Sequence, residues 1–279
     1  MLNGNPQRTN KFPVMLQIFQ QFTGINLFVQ FLSSMFANQL MYPIQLGLLL
    51  AAVCGTWFFI TSVISVIGID SYFGRRTLTM VGAAGMCICM IILTVLHYIA
   101  TQKAHHAMSA FLFLYTAFFA VGWQGMSWLW AVELIPLSIR GPANALSTAV
   151  NWLANFCVVI TCPVMFTNIT WKTYVTYAVI NAVIVPSIYF FYPETGSRSL
   201  EEVDLLFESA TAQGNPWFSV VNIAKKEPRW FDVDGEKTES YSNSNGESTQ
   251  PSTEPYSLNE KATKPAGPLG SGSSDGNQV

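Results

Sequence analysis

The chain has 279 residues, of which 51% are hydrophobic and only 11% charged, and its formal net charge is -2. A soluble domain carries charge on roughly a quarter of its residues, so this composition excludes an ordinary water-soluble globule. With no basic patch, the chain also lacks the electrostatic footprint that nucleic acid requires. The charges are unevenly placed: 14 of the 16 acidic residues follow Pro193.

Residues 1–11 are polar, carry no cleavable signal pattern and read as a cytoplasmic N-terminal segment. The first apolar run, 12–37, contains "LQIFQQFTGIN", with amides at Gln17, Gln20, Gln21 and Asn26. Each amide withdrawn from water without a partner costs free energy. At about 100° per residue, Gln17, Gln20, Gln21 and Gly24 share one face and Asn26 falls on the opposite one. For all of them to point inward, the helix must bend or unwind near Thr23–Gly24, which glycine permits. Broken helices at membrane depth are characteristic of transporter binding sites. The alternative is a straight helix with Asn26 bonded to a neighbour.

The second and third runs, 45–69 and 78–99, flank "GRR" at Gly74–Arg76. His97, His105 and His106, at or beyond the far end of the third run, read as solvated surface. The fourth run, 108–132, ends in "VGWQGMSWLWAVELIP", where helical spacing puts Gln124, Ser127 and Trp128 on one face. Amides and hydroxyls beside a flat aromatic wall suit a neutral sugar or polyol. Trp123 and Trp130 read as packing or interfacial residues.

In the fifth run, 143–166, the residues Asn144, Ser147, Thr148, Asn151 and Asn155 form one polar stripe within about 100° of arc. Lipid cannot satisfy such a stripe, so it faces protein or a lined cavity; interhelical glue is the plainer alternative. The sixth run is 174–192. Six runs, each close to the ~20 residues needed to cross the hydrocarbon, define an all-α membrane bundle over 12–208. The basic residues Arg8, Lys11, Arg75, Arg76, Arg140 and Arg198 fall on one side and Lys103 and Lys172 on the other. That bias places both ends in the cytoplasm.

The five cysteines lie in apolar runs without metal-site spacing and read as small fillers. The sequon Asn168–Thr170 lies too close to a span for use as a glycosylation site. From Ser209 to the end, 209–279, the chain is rich in Ser, Gly, Pro and charge and reads as a disordered cytoplasmic tail. Its aromatic patch, 216–235, reads as a membrane-surface rest or an idle linker. No nucleophile–base pair, paired acids or metal cluster appears in the spans, so neither an enzyme nor a metal or cofactor is expected.

The motifs "QQFTGIN", "GRR", "ELIPLSIRG", "NWLANF" and "PETGSRSLEE", in this order and spacing, resemble the sugar porters of the major facilitator superfamily, especially fungal sugar and polyol transporters. The match runs from about residue 10 to 207 and corresponds to the C-terminal six helices of a twelve-helix fold. The resemblance implies that Gln20, Gln21, Asn26, Trp128 and Asn155 bind the sugar. It also implies that Arg75, Glu133, Arg140, Glu194 and Arg198 form an ion-pair gate, with Glu133 and Arg140 clustering on Arg75.

Departures are visible. Ser71 stands where the family commonly has an acid, Gly125–Met126–Ser127 replaces a Pro-x-Pro, and Ser197–Arg198 shifts the last Gly-Arg. The implied function is alternating-access transport of a neutral sugar or polyol, proton-coupled, across the plasma membrane. The missing N-terminal six-helix half, or another subunit, is the implied partner alongside the lipid bilayer. A transport-inactive sugar sensor and a structural membrane subunit are the alternatives.

Overall fold

The computed structural model describes residues 11–71, 74–196, 198–212, 216–230 and 238, so most of the N-terminal segment and residues 239–279 lie outside it. Among the described residues the fold is helical throughout. The first passage is interrupted: α1 (Lys11–Phe22) and α2 (Ile25–Ser34) meet at Thr23–Gly24, and a π-helical turn, Met35–Gln39, extends α2. Gly24 has φ 97°, a left-handed conformation that glycine alone enters cheaply. The expected break in this helix is therefore present at the expected residues.

Long helices follow: α3 (Ile44–Ser71), α4 (Arg75–Ile99), and α5 (Gln102–Phe119) running through a π-helical turn, Ala120–Gln124, into α6 (Met126–Glu133). After a short 3-10 turn, Leu137–Ile139, come α7 (Arg140–Ile169) and α8 (Lys172–Phe191). Five passages (α3, α4, α5–α6, α7 and α8) are long and apolar enough to cross a bilayer. With the broken first passage they give the six expected.

In the bundle α4 packs along both α5 and α8, and α1 along α7. At Gly82 and Gly122 the α4 backbone meets the π turn directly; a Cβ added at Gly82 would lie 2.8 Å from Gly122 Cα. Small residues permit such close approach, the usual basis of helix association in lipid. Trp123, Trp130, Tyr115 and Tyr174 are among the largest fully buried side chains. The outward faces stay apolar instead of polar. Phe59, Ile67, Leu153 and Phe156 are each at least 60% exposed, as a bundle solvated by hydrocarbon requires.

The tail departs from expectation. α9 (Leu200–Ala212) passes through Ser209 without a break, and α10 (Pro216–Lys226) follows within the stretch expected to be disordered. Val220, Val221 and Ile223 are buried in the main core, and α10 packs on both α9 and α8. Composition pointed to disorder because this stretch is polar on average. Its few apolar groups at helical spacing suffice once the bundle end offers a surface to cover them.

Candidate functional site

The amides of α1 meet the polar stripe of α7. On α7 the buried positions Ala143, Ser147, Asn151, Ala154, Val158 and Cys162 recur at helical spacing, and this face runs against Gln17, Gln20 and Gln21. Asn151, 1% exposed, is the hub. Its Nδ2 donates to Gln17 Oε1 at 2.6 Å and to Gln20 Oε1 at 2.9 Å, and its Oδ1 accepts from Gln21 Nε2 at 2.9 Å. Gln17 Nε2 donates in turn to the Ser127 carbonyl at 3.3 Å.

Across the break, Asn26 Nδ2 donates to Gln21 Oε1. Half-buried Asn155 completes the ring, donating to Gln21 Oε1 at 3.3 Å and to Asn26 Oδ1 at 3.2 Å. In an unbroken helix, positions 21 and 26 would face about 140° apart. The Gly24 turn removes that separation and lets the two amides bond.

Six amides thus form one connected network, and each bond in it offsets the desolvation of its partners. Of the five residues implied to bind sugar, Gln20, Gln21, Asn26 and Asn155 lie in or on this network. Trp128 makes no hydrogen bond to it; the residue is 37% exposed and follows Ser127. The shared face of Gln124, Ser127 and Trp128 also dissolves. Ser127 is buried, with Oγ donating to the Trp123 carbonyl, while Gln124 and Trp128 are exposed. Gln124 and Trp128, four residues apart, keep one outward side, while Ser127 lies about 100° from Trp128 on the buried side of the helix. Trp123 and Trp130 are packing residues, both wholly buried.

Spacing in the sequence sets Asn151 in the stripe but does not single it out. Asn151 and Asn155 stand about one turn apart on one face, so periodicity alone gives no means of ranking them.

The charged residues gather at the opposite ends of α4 and α6 from the histidines. Arg75 Nε and a terminal nitrogen both donate to Glu133 Oε1, at 3.3 and 3.1 Å, and Thr195 Oγ1 donates to Glu133 Oε2 at 2.6 Å. Glu194 accepts from the Arg76 backbone N–H at 3.1 Å and from Gly196 N–H at 3.1 Å. Its carboxylate therefore sits at the α4 N-terminus, where unsatisfied N–H groups favour negative charge. The Arg76 guanidinium bonds the Tyr189 carbonyl and lies 4.8 Å over the Tyr189 ring.

Arg198 pairs with the buried carboxylate of Glu202 and donates to the carbonyls of Ala224 and Glu227, at 2.7 and 2.9 Å, at the end of α10. Arg140 does not join the Arg75–Glu133 pair; it donates to the Ile135 carbonyl at 3.2 Å and lies close enough to influence Asp204. The geometric reason is the 3-10 turn between α6 and α7, which turns Arg140 toward α9. Burial pushes the Asp204 carboxyl above its ordinary range, with the nearby Arg140 charge opposing the shift.

A bundle of six apolar passages, one broken around a glycine and lined by amides, defines half of a membrane transporter of the twelve-helix kind. Comparison with known proteins agrees. The chain belongs to the sugar (and other) transporter family, whose family model matches residues 8–207. It is 33% identical over 202 residues to Sugar transporter STL1 of Saccharomyces cerevisiae, covering 72% of this chain and 35% of that protein. It is also 33% identical over 206 residues to the D-xylose-proton symporter of Escherichia coli, covering 71% of this chain and 41% of that one. The solved inward-open structure of the Escherichia coli xylose transporter superimposes with a TM-score of 0.60 at 31% identity. That match covers 71% of this chain and 41% of the transporter. The chain thus spans well under half the length of these relatives, and the family consists of transporters, not enzymes.

Proposed function

We propose that this chain forms the amide-bearing half of an alternating-access transporter for a neutral monosaccharide or polyol in the plasma membrane. The observation that carries the reading is the closed amide network centred on Asn151. Amide groups both donate and accept, so they can exchange bonds with one another for bonds to hydroxyls. Among the described residues of the network there is no charge, which fits a neutral cargo. Gln17, Gln20, Gln21, Asn26, Asn151 and Asn155 are its ligand groups, and exposed Trp128 is a wall presented toward the other half of the cavity.

A second six-helix bundle, in the same polypeptide or another, supplies that other half, because alternating access needs one bundle to rock against another. The name of the similar D-xylose-proton symporter supports a proton as the coupled ion. In this reading both ends of the chain are cytoplasmic, and the Arg75–Glu133 pair, with Glu194 and Arg198, closes the cytoplasmic side. Arg140 takes part only through α9.

Glue between helices is the competing reading, since the network satisfies itself. Two amides would serve as glue; six, with Asn155 half-buried at the edge of the network, exceed that need. The test joins the chain to the N-terminal six helices of its Saccharomyces cerevisiae relative and measures uptake of D-xylose, D-glucose and sorbitol. Each amide is worth about one net hydrogen bond, on the order of 1 kcal/mol. Gln21→Ala and Asn155→Ala should therefore weaken apparent affinity about fivefold to tenfold. Unchanged affinity in both variants, at normal surface levels, leaves the amides as glue. Saturable binding without uptake favours the sensor reading.

A further inference from the structure

The break that brings Asn26 to Gln21 deprives the Thr23 carbonyl of its helical partner. In a continuous helix the Leu27 N–H would bond the Thr23 carbonyl; here it bonds the Gly24 carbonyl at 3.1 Å. An orphaned carbonyl at membrane depth must find a donor within the protein. The Thr23 carbonyl has two. Tyr115 Oη, from α5, donates at 2.9 Å, and Asn181 Nδ2, from α8, donates at 2.9 Å. Both side chains are wholly buried.

Three features separate this arrangement from incidental packing. First, Asn181 commits both N–H groups to backbone carbonyls, the second being that of Tyr177 at 2.8 Å, while its own Oδ1 has no partner. Flipping the amide would set that oxygen against two carbonyls, so its orientation is fixed by its neighbours. A buried unpaired acceptor is costly, and an apolar residue here would avoid the cost. Second, the Tyr177 ring backs the turn: a Cβ added at Gly24 would lie 2.7 Å from Tyr177 Cδ1. Third, the Tyr115 ring packs against Phe28 on α2, centroids 4.3 Å apart. The turn is thus held from α5 and α8, the sides away from the amides.

We propose that Tyr115 and Asn181 are positioning residues for the amide site. They touch none of the ligand groups; by donating to the Thr23 carbonyl they fix the angle between α1 and α2, and so place Asn26 against Gln21 and Asn155. This rests on the sugar-binding reading of the amides. In its absence the two donors would still hold the turn but would position no ligand group.

The test joins the chain, as in the uptake assay, to the N-terminal six helices of its Saccharomyces cerevisiae relative, with the cysteines of that half replaced, and takes two readouts from the fusion in lipid nanodiscs. Spin labels at Met15→Cys and Val29→Cys, exposed positions on α1 and α2, report the angle across the break; Cys87→Ser and Cys157→Ser remove the thiols that are not buried. Binding of radiolabelled D-xylose reports the site, with Gln21→Ala as the control for the sugar reading. Tyr115→Phe removes one hydroxyl and keeps the ring against Phe28, and Asn181→Leu removes the amide at similar volume. Each should broaden or shift the inter-label distance and weaken binding about fivefold, the effect of one net hydrogen bond, at unchanged binding stoichiometry. A merely structural role would instead lower the number of sites at unchanged affinity.

Distances unchanged in both variants overturn the proposal. So does unchanged affinity in both while Gln21→Ala weakens binding, which leaves the sugar reading standing. No binding by the parent fusion, or full binding by its Gln21→Ala variant, removes the sugar reading and the positioning claim with it.

Discussion

Replacing Gly24 with alanine tests the physical origin of the break directly. Two costs add. Gly24 has φ 97° and ψ 14°, and an L-residue held in a left-handed conformation pays about 1–2 kcal/mol. The new methyl would also lie 2.7 Å from Tyr177 Cδ1 and 3.0 Å from Cγ. Overpacking of this kind costs about 1–3 kcal/mol. Tyr177 cannot swing away freely, because it is 4% exposed. The sum is about 2–5 kcal/mol, which lowers the melting temperature by roughly 4–20 °C at this chain length.

Gly125→Ala is the matched control. It has φ -87° and open space around its Cβ position, so it should gain about 0.4–1 kcal/mol from the restricted unfolded chain. The assay is thermal unfolding of the purified chain in detergent, followed by circular dichroism. A double-mutant cycle with Tyr177→Leu separates the costs, since relief of the clash should appear as a coupling of about 1–3 kcal/mol. If Gly24→Ala melts with the parent, or Gly125→Ala falls as far, the account of the break is wrong.

Arg75→Ala leaves the Glu133 carboxylate with Thr195 but without its guanidinium. Since the paired side chains are 12% and 15% exposed, the loss should fall between about 1 kcal/mol for a surface pair and 3–5 for a buried one, read in the same melts; no change would mark the pair as solvated. Arg198→Ala removes the donors that hold the end of α10 and strands the Glu202 carboxylate, so trypsin should cleave after Lys225 and Lys226 several-fold faster; an unchanged rate would show that the apolar face of α10 suffices. Because burial raises the folded-state pKa of Asp204 above its ordinary value, its protonated form is the better accommodated one. Its contribution to stability is therefore present at low pH and lost as pH rises through the folded pKa. Asp204→Asn should stabilise the protein at neutral pH and flatten that dependence in melts between pH 4 and pH 7, and an unaltered profile would refute the assignment.

The sequence by itself determined the solvent, the number of passages and the place of the break. Hydrocarbon admits only helices and closed barrels, so six apolar runs of helix-spanning length leave little freedom. Amides on two faces around Gly24 are costly in any straight helix. The family resemblance, with charges confined to helix ends, implied a cluster of Glu133 and Arg140 on Arg75, of which the Arg75–Glu133 pair is present.

Tertiary structure decided what depends on rotation and on partners distant in sequence. Asn151 rather than Asn155 became the hub because the choice between residues one turn apart rests on how α7 is rotated against α1, which periodicity leaves open. Ser127 parted from Gln124 and Trp128 because a face about 100° wide straddles the border between the buried and exposed sides of the helix, and packing sets where that border falls. Arg140 went to the α9 side because a single 3-10 turn redirected the chain. Tyr115 and Asn181 carried no signal at all: a lone hydroxyl and a lone amide in apolar helices acquire meaning only when the Thr23 carbonyl, 92 and 158 residues away, loses its own helical partner. For the same reason α10 read as tail. Val220, Val221 and Ile223, the buried apolar residues described there, hold their places because the charged end of the bundle supplies the surface they cover.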